Sequence, residues 1–243
     1  MRTWWEKKPR PGQIMGAHHQ MRAKHPVVIV PGFTSCGLEL WAGEPCLSSY
    51  FRRRIWGTTT MLQSFFQDTD CWLRHMKLDL ESGMDPAGIK LRSDIGIDAA
   101  DYFGPGYWLW GKMIENLADI GYDSSNLHME AYDWRLSPVL LQERDHFFSR
   151  LKSTFELSLA TSGERAALLA HSYGSLLVHF FFNWVESPKV CQLFGGNGGA
   201  GWVDKHIESY VNIAGPMLGV PKATSALLSG EFREVAVLGS LRK

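Results

Sequence analysis

The chain has 243 residues, 45% of them apolar and 21% charged, which suits one well-packed domain and is too apolar for a disordered chain. Twenty-five basic and twenty-five acidic side chains cancel to a formal charge of zero, which argues against the electrostatic footprint that nucleic-acid binding needs. No apolar stretch approaches the roughly 20 residues that span a bilayer, and the opening MRTWWEKKPRPG has no secretory-signal core, so no membrane-spanning segment is expected.

In chain order, residues 1–24 are polar, proline-bearing and without period, and read as an arm. HPVVIVPGF follows, whose run Val27 to Val30 between Pro26 and Pro31-Gly32 predicts a strand buried on both faces, as in a parallel sheet. Residues 34–105 are long, aromatic and turn-rich, and read as a lid or cap inserted over a site. Within them Arg52-Arg53-Arg54 reads as a solvated basic face.

YWLWGKMIENLADIGY then places Trp110, Ile114, Leu117 and Ile120 on one helical stripe that stops at Gly121. LHMEAYDW predicts a strand near 127–134, and ERDHFFSRLKSTFELSLATSG a helix ending at Gly163. A strand near 165–172, a helix from Gly174 to about Glu186 and a strand near 208–216 complete the alternation. Parallel strands joined by crossover helices make the fold class α/β. GGNGGAG contains a formal G-x-G-x-x-G (Gly196, Gly198, Gly201), but a helix precedes it and a strand follows. That order is wrong for a dinucleotide site, so it reads as a flexible loop.

Four cysteines, Cys36, Cys46, Cys71 and Cys191, form no C-x-x-C pair, and no metal site is expected. One disulfide remains open, although composition favours four reduced thiols.

The chemistry concentrates in LLAHSYGSLL, residues 168–177, where Ser172 closes a strand and opens a helix and Gly174 leaves room at the turn. This is a nucleophile elbow in which Ala170 replaces the first glycine of G-x-S-x-G. The N–H groups of Tyr173 and of Phe33, just beyond VVIVPG, are placed to stabilise an oxyanion. No base is evident. Asp204 and His206 enter a strand at the wrong end, His179 lies about 10 Å along its helix from the serine, and His171 leaves its strand on the opposite face. His25 and His128 begin strands, and His75 and His146 read as cap or helix-surface residues. Asp133 and Arg135, in AYDWRLS, read as a buried ion pair fixing the loop under the lid.

The stretches AKHPVVIVPGFTSCGLELWAGEPC, FRRRIWG, CWLRHMKLD, GMDPAGIKLR, AADYFGPGYWLW, IENLADIGYDSSNLHMEAYDWRLS and GWVDKHIESYVNIAGPMLGVPKA, with the serine elbow, occur in a recognisable order. From about Lys24 to Pro221 the chain resembles the N-terminal part of the catalytic domain of the phospholipid:diacylglycerol acyltransferases, within the lecithin:cholesterol acyltransferase family. The resemblance implies an α/β-hydrolase fold over residues 25–243, Ser172 as nucleophile, and Phe33 and Tyr173 as oxyanion donors. It also implies a Cys46–Cys71 disulfide closing the lid loop, with Trp41, Trp56 and Trp72 around it as lipid contacts.

The implied reaction passes a fatty acyl group from a phospholipid to Ser172 and then to diacylglycerol, without cofactor or metal, at a membrane surface on the lumenal side of the endoplasmic reticulum. A phospholipase A or lipase and a non-catalytic lipid-binding remnant are the alternatives. Two departures stand out: Tyr173 replaces a methionine common in plant members, and the family's catalytic Asp and His fall beyond the equivalent of Lys243, so the chain is expected to be truncated.

Overall fold

A computed structural model describes residues 8–104, 106–189 and 195–229. Cys191 lies outside the described residues, as do the first seven positions of the arm and the last fourteen of the domain.

The arm is not without structure: Pro11–His18 form helix α1. Proline suits the first helical position because its missing N–H is not needed there. Arg10 grips Asp119 through Nε and Nη2 at 2.8 and 2.5 Å, which docks α1 on a later helix. The expected first strand is β1, Val27–Val30, buried throughout. Residues 34–105 carry their own secondary structure. Strands β2 (Leu38–Ala42) and β3 (Arg54–Trp56) precede helices α2 (Thr59–Gln67) and α3 (Thr69–Met76). Strand β4 (Lys90–Ser93) then pairs antiparallel with β2 to make a small sheet ordered β3-β2-β4. Leu40, Leu47, Ile55, Trp72 and Leu91 form its own small core. No long periodic run marks these elements, which is why they read as loop.

Strands β5 (Tyr102–Gly104) and β6 (Tyr107–Trp108) form a two-stranded antiparallel pair, and α4 (Gly111–Ala118) packs Ile114 and Leu117, with Trp110, on one face of the main sheet. The strand expected over 127–134 is only β7, Leu127–Met129. Beyond it the chain turns away to bring Asp133 to its arginines. The single long helix expected next is two, α5 (Pro138–Asp145) and α6 (Phe147–Ser162), broken at His146, whose φ of 52° is left-handed. Gln142 reaches across the break to Ser149, taking its N–H at 3.2 Å and donating to its hydroxyl at 2.7 Å.

Strand β8 (Ala166–His171), helix α7 (Tyr173–Glu186), short helix α8 (Trp202–His206), strand β9 (Ile207–Ile213) and helix α9 (Pro221–Ser229) follow. The main sheet has the order β7-β1-β8-β9, all parallel. Phe147, Phe148, Phe155 and Phe181, fully buried, fill its other face between α6 and α7. A parallel sheet with helices on both faces and the serine elbow after a central strand is the expected α/β-hydrolase arrangement. The glycine loop at 195–201 is pinned rather than flexible: the N–H groups of Gly196 and Gly198 donate to Trp184 and Val185 carbonyls at 2.6 and 2.8 Å.

Candidate functional site

Ser172 sits between β8 and α7 with φ 50° and ψ −125°, a conformation that costs an L-residue of order 1–3 kcal/mol. The neighbours over-determine it. Its N–H donates to the Ile213 carbonyl at 3.0 Å and its carbonyl accepts from Ser175 at 3.0 Å. The fully buried Ser175 hydroxyl in turn has two acceptors for its one proton, the Ala170 carbonyl at 3.3 Å and Asn212 Oδ1 at 3.1 Å. Two glycines permit the close approach of β1 to the elbow. A Cβ at Gly174 would stand 2.3 and 2.6 Å from the Pro31 and Val30 carbonyl oxygens, and one at Gly32 would stand 3.2 Å from Ser172 Cβ. The elbow is therefore wedged against the end of β1, where Phe33 begins.

The Ser172 side chain caps nothing and is partly exposed. The Tyr173 N–H is the first of α7 and has no intrahelical acceptor, and the Phe33 N–H has no acceptor among the described residues. Two unengaged amides therefore lie near the serine, one on the next residue and one on the residue after Gly32, which is packed against Ser172. Around them the rings close in. Phe33, 54% exposed, lies edge-on to Trp134 at 5.3 Å and to Tyr173 at 6.0 Å. Burial pushes the Tyr173 phenol above its ordinary pKa. An apolar groove of about 710 Å³ starts at Tyr173 and follows α7 past Leu177 and Phe180.

No described histidine is hydrogen-bonded to Ser172. His206 is stacked on Trp202 at 4.2 Å with Nδ1 against the Trp202 carbonyl, at the start of β9. That is the full length of a strand away from the elbow, on the order of 20 Å. His171 lies edge-on to Trp110, on the face away from α7. His75, expected at a surface, is fully buried in the insertion, where Nε2 accepts the Glu44 N–H at 3.1 Å.

The insertion brings the three tryptophans to different places. Trp41 is exposed, with the Arg52 guanidinium 4.6 Å over its ring and Phe51 beside it. Trp56 donates to the Thr34 carbonyl at 2.8 Å and packs on Trp134 at 4.9 Å, so it reaches the serine's surroundings. Trp72 is buried and donates to the Ile55 carbonyl at 2.9 Å, so here it packs the insertion's core. Cys46 and Cys71 are joined by a disulfide, so the reduced state that composition favours does not hold for this pair. Glu44 lies beside the two sulfurs, but sulfurs bonded to each other offer no thiolate for a metal. Cys36 is a buried free thiol, pushed up to about 12 by burial first. The arginine triplet divides: Arg52 and Arg53 are exposed, whereas Arg54 turns inward to Asp94.

Beneath the site lies an ion cluster that sequence reading saw only in part. Asp133, 0% exposed, is held by Arg135 at 2.6 Å and Arg144 at 2.8 Å. Asp85, from the insertion, takes Arg135 at 2.8 Å, Arg144 at 3.3 Å and Arg92 at 2.6 Å, and Asp145 takes Arg144 at 2.7 Å. Three aspartates and three arginines far apart in sequence thus fasten the insertion to the body. Trp134 was also missed, although it sits inside AYDWRLS beside Asp133.

Comparison with known proteins places this geometry. The model of the lecithin:cholesterol acyltransferase family matches residues 50–242. Phospholipid:diacylglycerol acyltransferase of Schizosaccharomyces pombe is 48% identical over 217 residues, 89% of this chain and 34% of that protein. Phospholipid:diacylglycerol acyltransferase 1 of Arabidopsis thaliana is 46% identical over 230 residues, 94% of this chain and 34% of that protein. The human lysosomal phospholipase A and acyltransferase is 26% identical over 235 residues, 89% and 53% of the two chains. The chain spans about a third of the length of the first two relatives.

Proposed function

The chain belongs to the lecithin:cholesterol acyltransferase family, and from that footing we propose that it carries the acyl-accepting serine of a lipid O-acyltransferase. In this reading Ser172 attacks an ester of a phospholipid, the Phe33 and Tyr173 N–H groups hold the resulting oxyanion, and the seryl ester passes its acyl group to diacylglycerol. Triacylglycerol and a lysophospholipid are the products. No cofactor or metal enters the scheme. The observation that carries it is the strained elbow at Ser172 with two unengaged amides beside it. The groove along α7 offers hydrocarbon room next to that elbow, which suits an acyl chain. The attack also needs a base, and since no described histidine reaches Ser172, this reading leaves the base to residues outside the described ones.

We assign residues 34–105 the role of lid, with Trp56 its contact to the site. The exposed Trp41, Phe51, Leu62 and Phe66 and the two outward arginines suit a membrane surface carrying phosphate headgroups. Among the described residues no helix is long and apolar enough to cross a membrane. The Cys46–Cys71 disulfide supports an oxidising compartment such as the lumen of the endoplasmic reticulum.

A long-chain alkyl fluorophosphonate tests the nucleophile. Mass spectrometry should find Ser172 labelled at least tenfold faster than any other serine, and the label should vanish in Ser172→Ala. Labelling spread evenly over serines would instead favour the non-catalytic lipid-binding remnant. Radiolabelled phospholipid offered with diacylglycerol tests the acceptor: triacylglycerol supports the transferase, and free fatty acid alone would favour a phospholipase A.

A further inference from the structure

Two buried polar side-chain atoms among the described residues have no hydrogen-bond partner, the Tyr210 hydroxyl and the Trp134 indole nitrogen. Buried donors are almost always satisfied, and an unmet one calls for an explanation. Tyr210 lies on β9, away from the elbow. Trp134 lies beside it. The Trp134 ring is packed by Phe33 at 5.3 Å, the residue whose N–H flanks Ser172, and by Trp56 of the insertion at 4.9 Å. Trp56 is satisfied by Thr34, and Trp72 by Ile55, so of these three neighbouring indoles Trp134 alone has an idle N–H.

We propose that Trp134 is a substrate-binding residue whose N–H is reserved for an ester carbonyl oxygen of a glycerolipid. The nitrogen is buried, so an acceptor reaches it only when a packed neighbour moves; Trp56, packed on the ring at 4.9 Å, belongs to the insertion, and a lipid entering beneath the insertion would both move it and supply the oxygen. The closed state thus keeps one donor unmet, which favours the liganded state over the empty one. An apolar ring without a donor would fill the same space, but would give no preference for an ester. The proposal rests on the Ser172 reading for where that ester lies.

The test uses the Ser172→Ala protein, so that no chemistry intervenes, and calorimetry with two soluble lipids below their micellar concentration. One is dihexanoylphosphatidylcholine; the other is its dihexyl ether counterpart, which lacks the carbonyl oxygens. The ester lipid should bind about tenfold tighter than the ether. Trp134→Phe, and replacement of Trp134 by benzothienylalanine, which keeps the two-ring outline with sulfur in place of N–H, should bring the ratio towards one. Both should lower the melting temperature less than the same changes at Trp56, whose N–H is bonded. An unchanged ratio after either substitution, no ratio in the parent, or a thermal loss equal to that at Trp56 overturns the proposal. Failure of Ser172 to take the fluorophosphonate would leave this binding ratio untouched, so the two readings fail separately.

Discussion

Asp133→Ala should lower stability by about 3–5 kcal/mol, the cost of removing one partner from a buried charge cluster and leaving the remaining charges out of balance. Arg135 and Arg144, at 2.6 and 2.8 Å from Asp133, would keep their charges with too few acceptors, while Asp85 and Asp145 remain engaged. Urea unfolding followed by tryptophan fluorescence measures this directly, and a change below about 1 kcal/mol, the scale of an exposed pair, would show that the cluster contributes little.

The same carboxylate predicts a pH dependence. Burial pushes Asp133 up, but hydrogen bonds and charges from Arg135 and Arg144 outweigh it and hold the group below the usual carboxylate range. A lowered folded-state pKa contributes stability that is present above the ordinary value of about 3.9 and is lost as pH falls through the folded value. The wild-type protein should therefore lose stability on acidification below about pH 4, and Asp133→Ala should lose less over the same interval. The wild-type curve running parallel to the variant's would contradict the assignment.

Gly174→Ala should be nearly as damaging, by about 3 kcal/mol or more, at the upper end of the range for overpacking. The added methyl would lie 2.3 Å from the Pro31 carbonyl oxygen and 2.6 Å from that of Val30, buried backbone atoms at the end of β1 and just beyond it. Neither can swing aside as a flexible side chain would. The helix must tilt or β1 must shift, and either displaces Phe33 relative to Ser172. A control is Gly104→Ala, where a Cβ meets nothing within 4 Å. Equal melting temperatures for the two variants would show that the elbow has slack that the geometry does not suggest. If Gly174→Ala folds, fluorophosphonate labelling of Ser172 should still fall, because the Phe33 amide, proposed as an oxyanion donor, would be displaced from the serine.

How much of this was legible in the sequence depends on what kind of signal carried it. Val27 to Val30, Leu168 to Ala170 and the stripe through Trp110, Ile114 and Leu117 announce themselves because burial on two faces or one leaves a local hydrophobic period. The helix break at His146 does not, because the periodicity of Phe147, Leu151 and Phe155 runs smoothly up to it and nothing apolar marks a left-handed residue. The insertion was unreadable as structure because its strands are three to five residues long and pair antiparallel with distant partners. The elbow was legible, since a strand, a small turn and a helix meet within ten residues.

By itself, then, the sequence determined the α/β class, the strand–turn–helix elbow and the family's motif order, all of which are written in contiguous stretches whose period and spacing are local. The tertiary structure alone decided how the arginines divide, with Arg52 and Arg53 outward and Arg54 inward, and that Asp85, Asp133 and Asp145 share three guanidinium groups. It also decided that Trp72 packs a core while Trp134, packed on Trp56, keeps an unmet N–H. Burial and hydrogen-bond satisfaction are properties of what surrounds an atom, and those surroundings come from residues tens of positions apart.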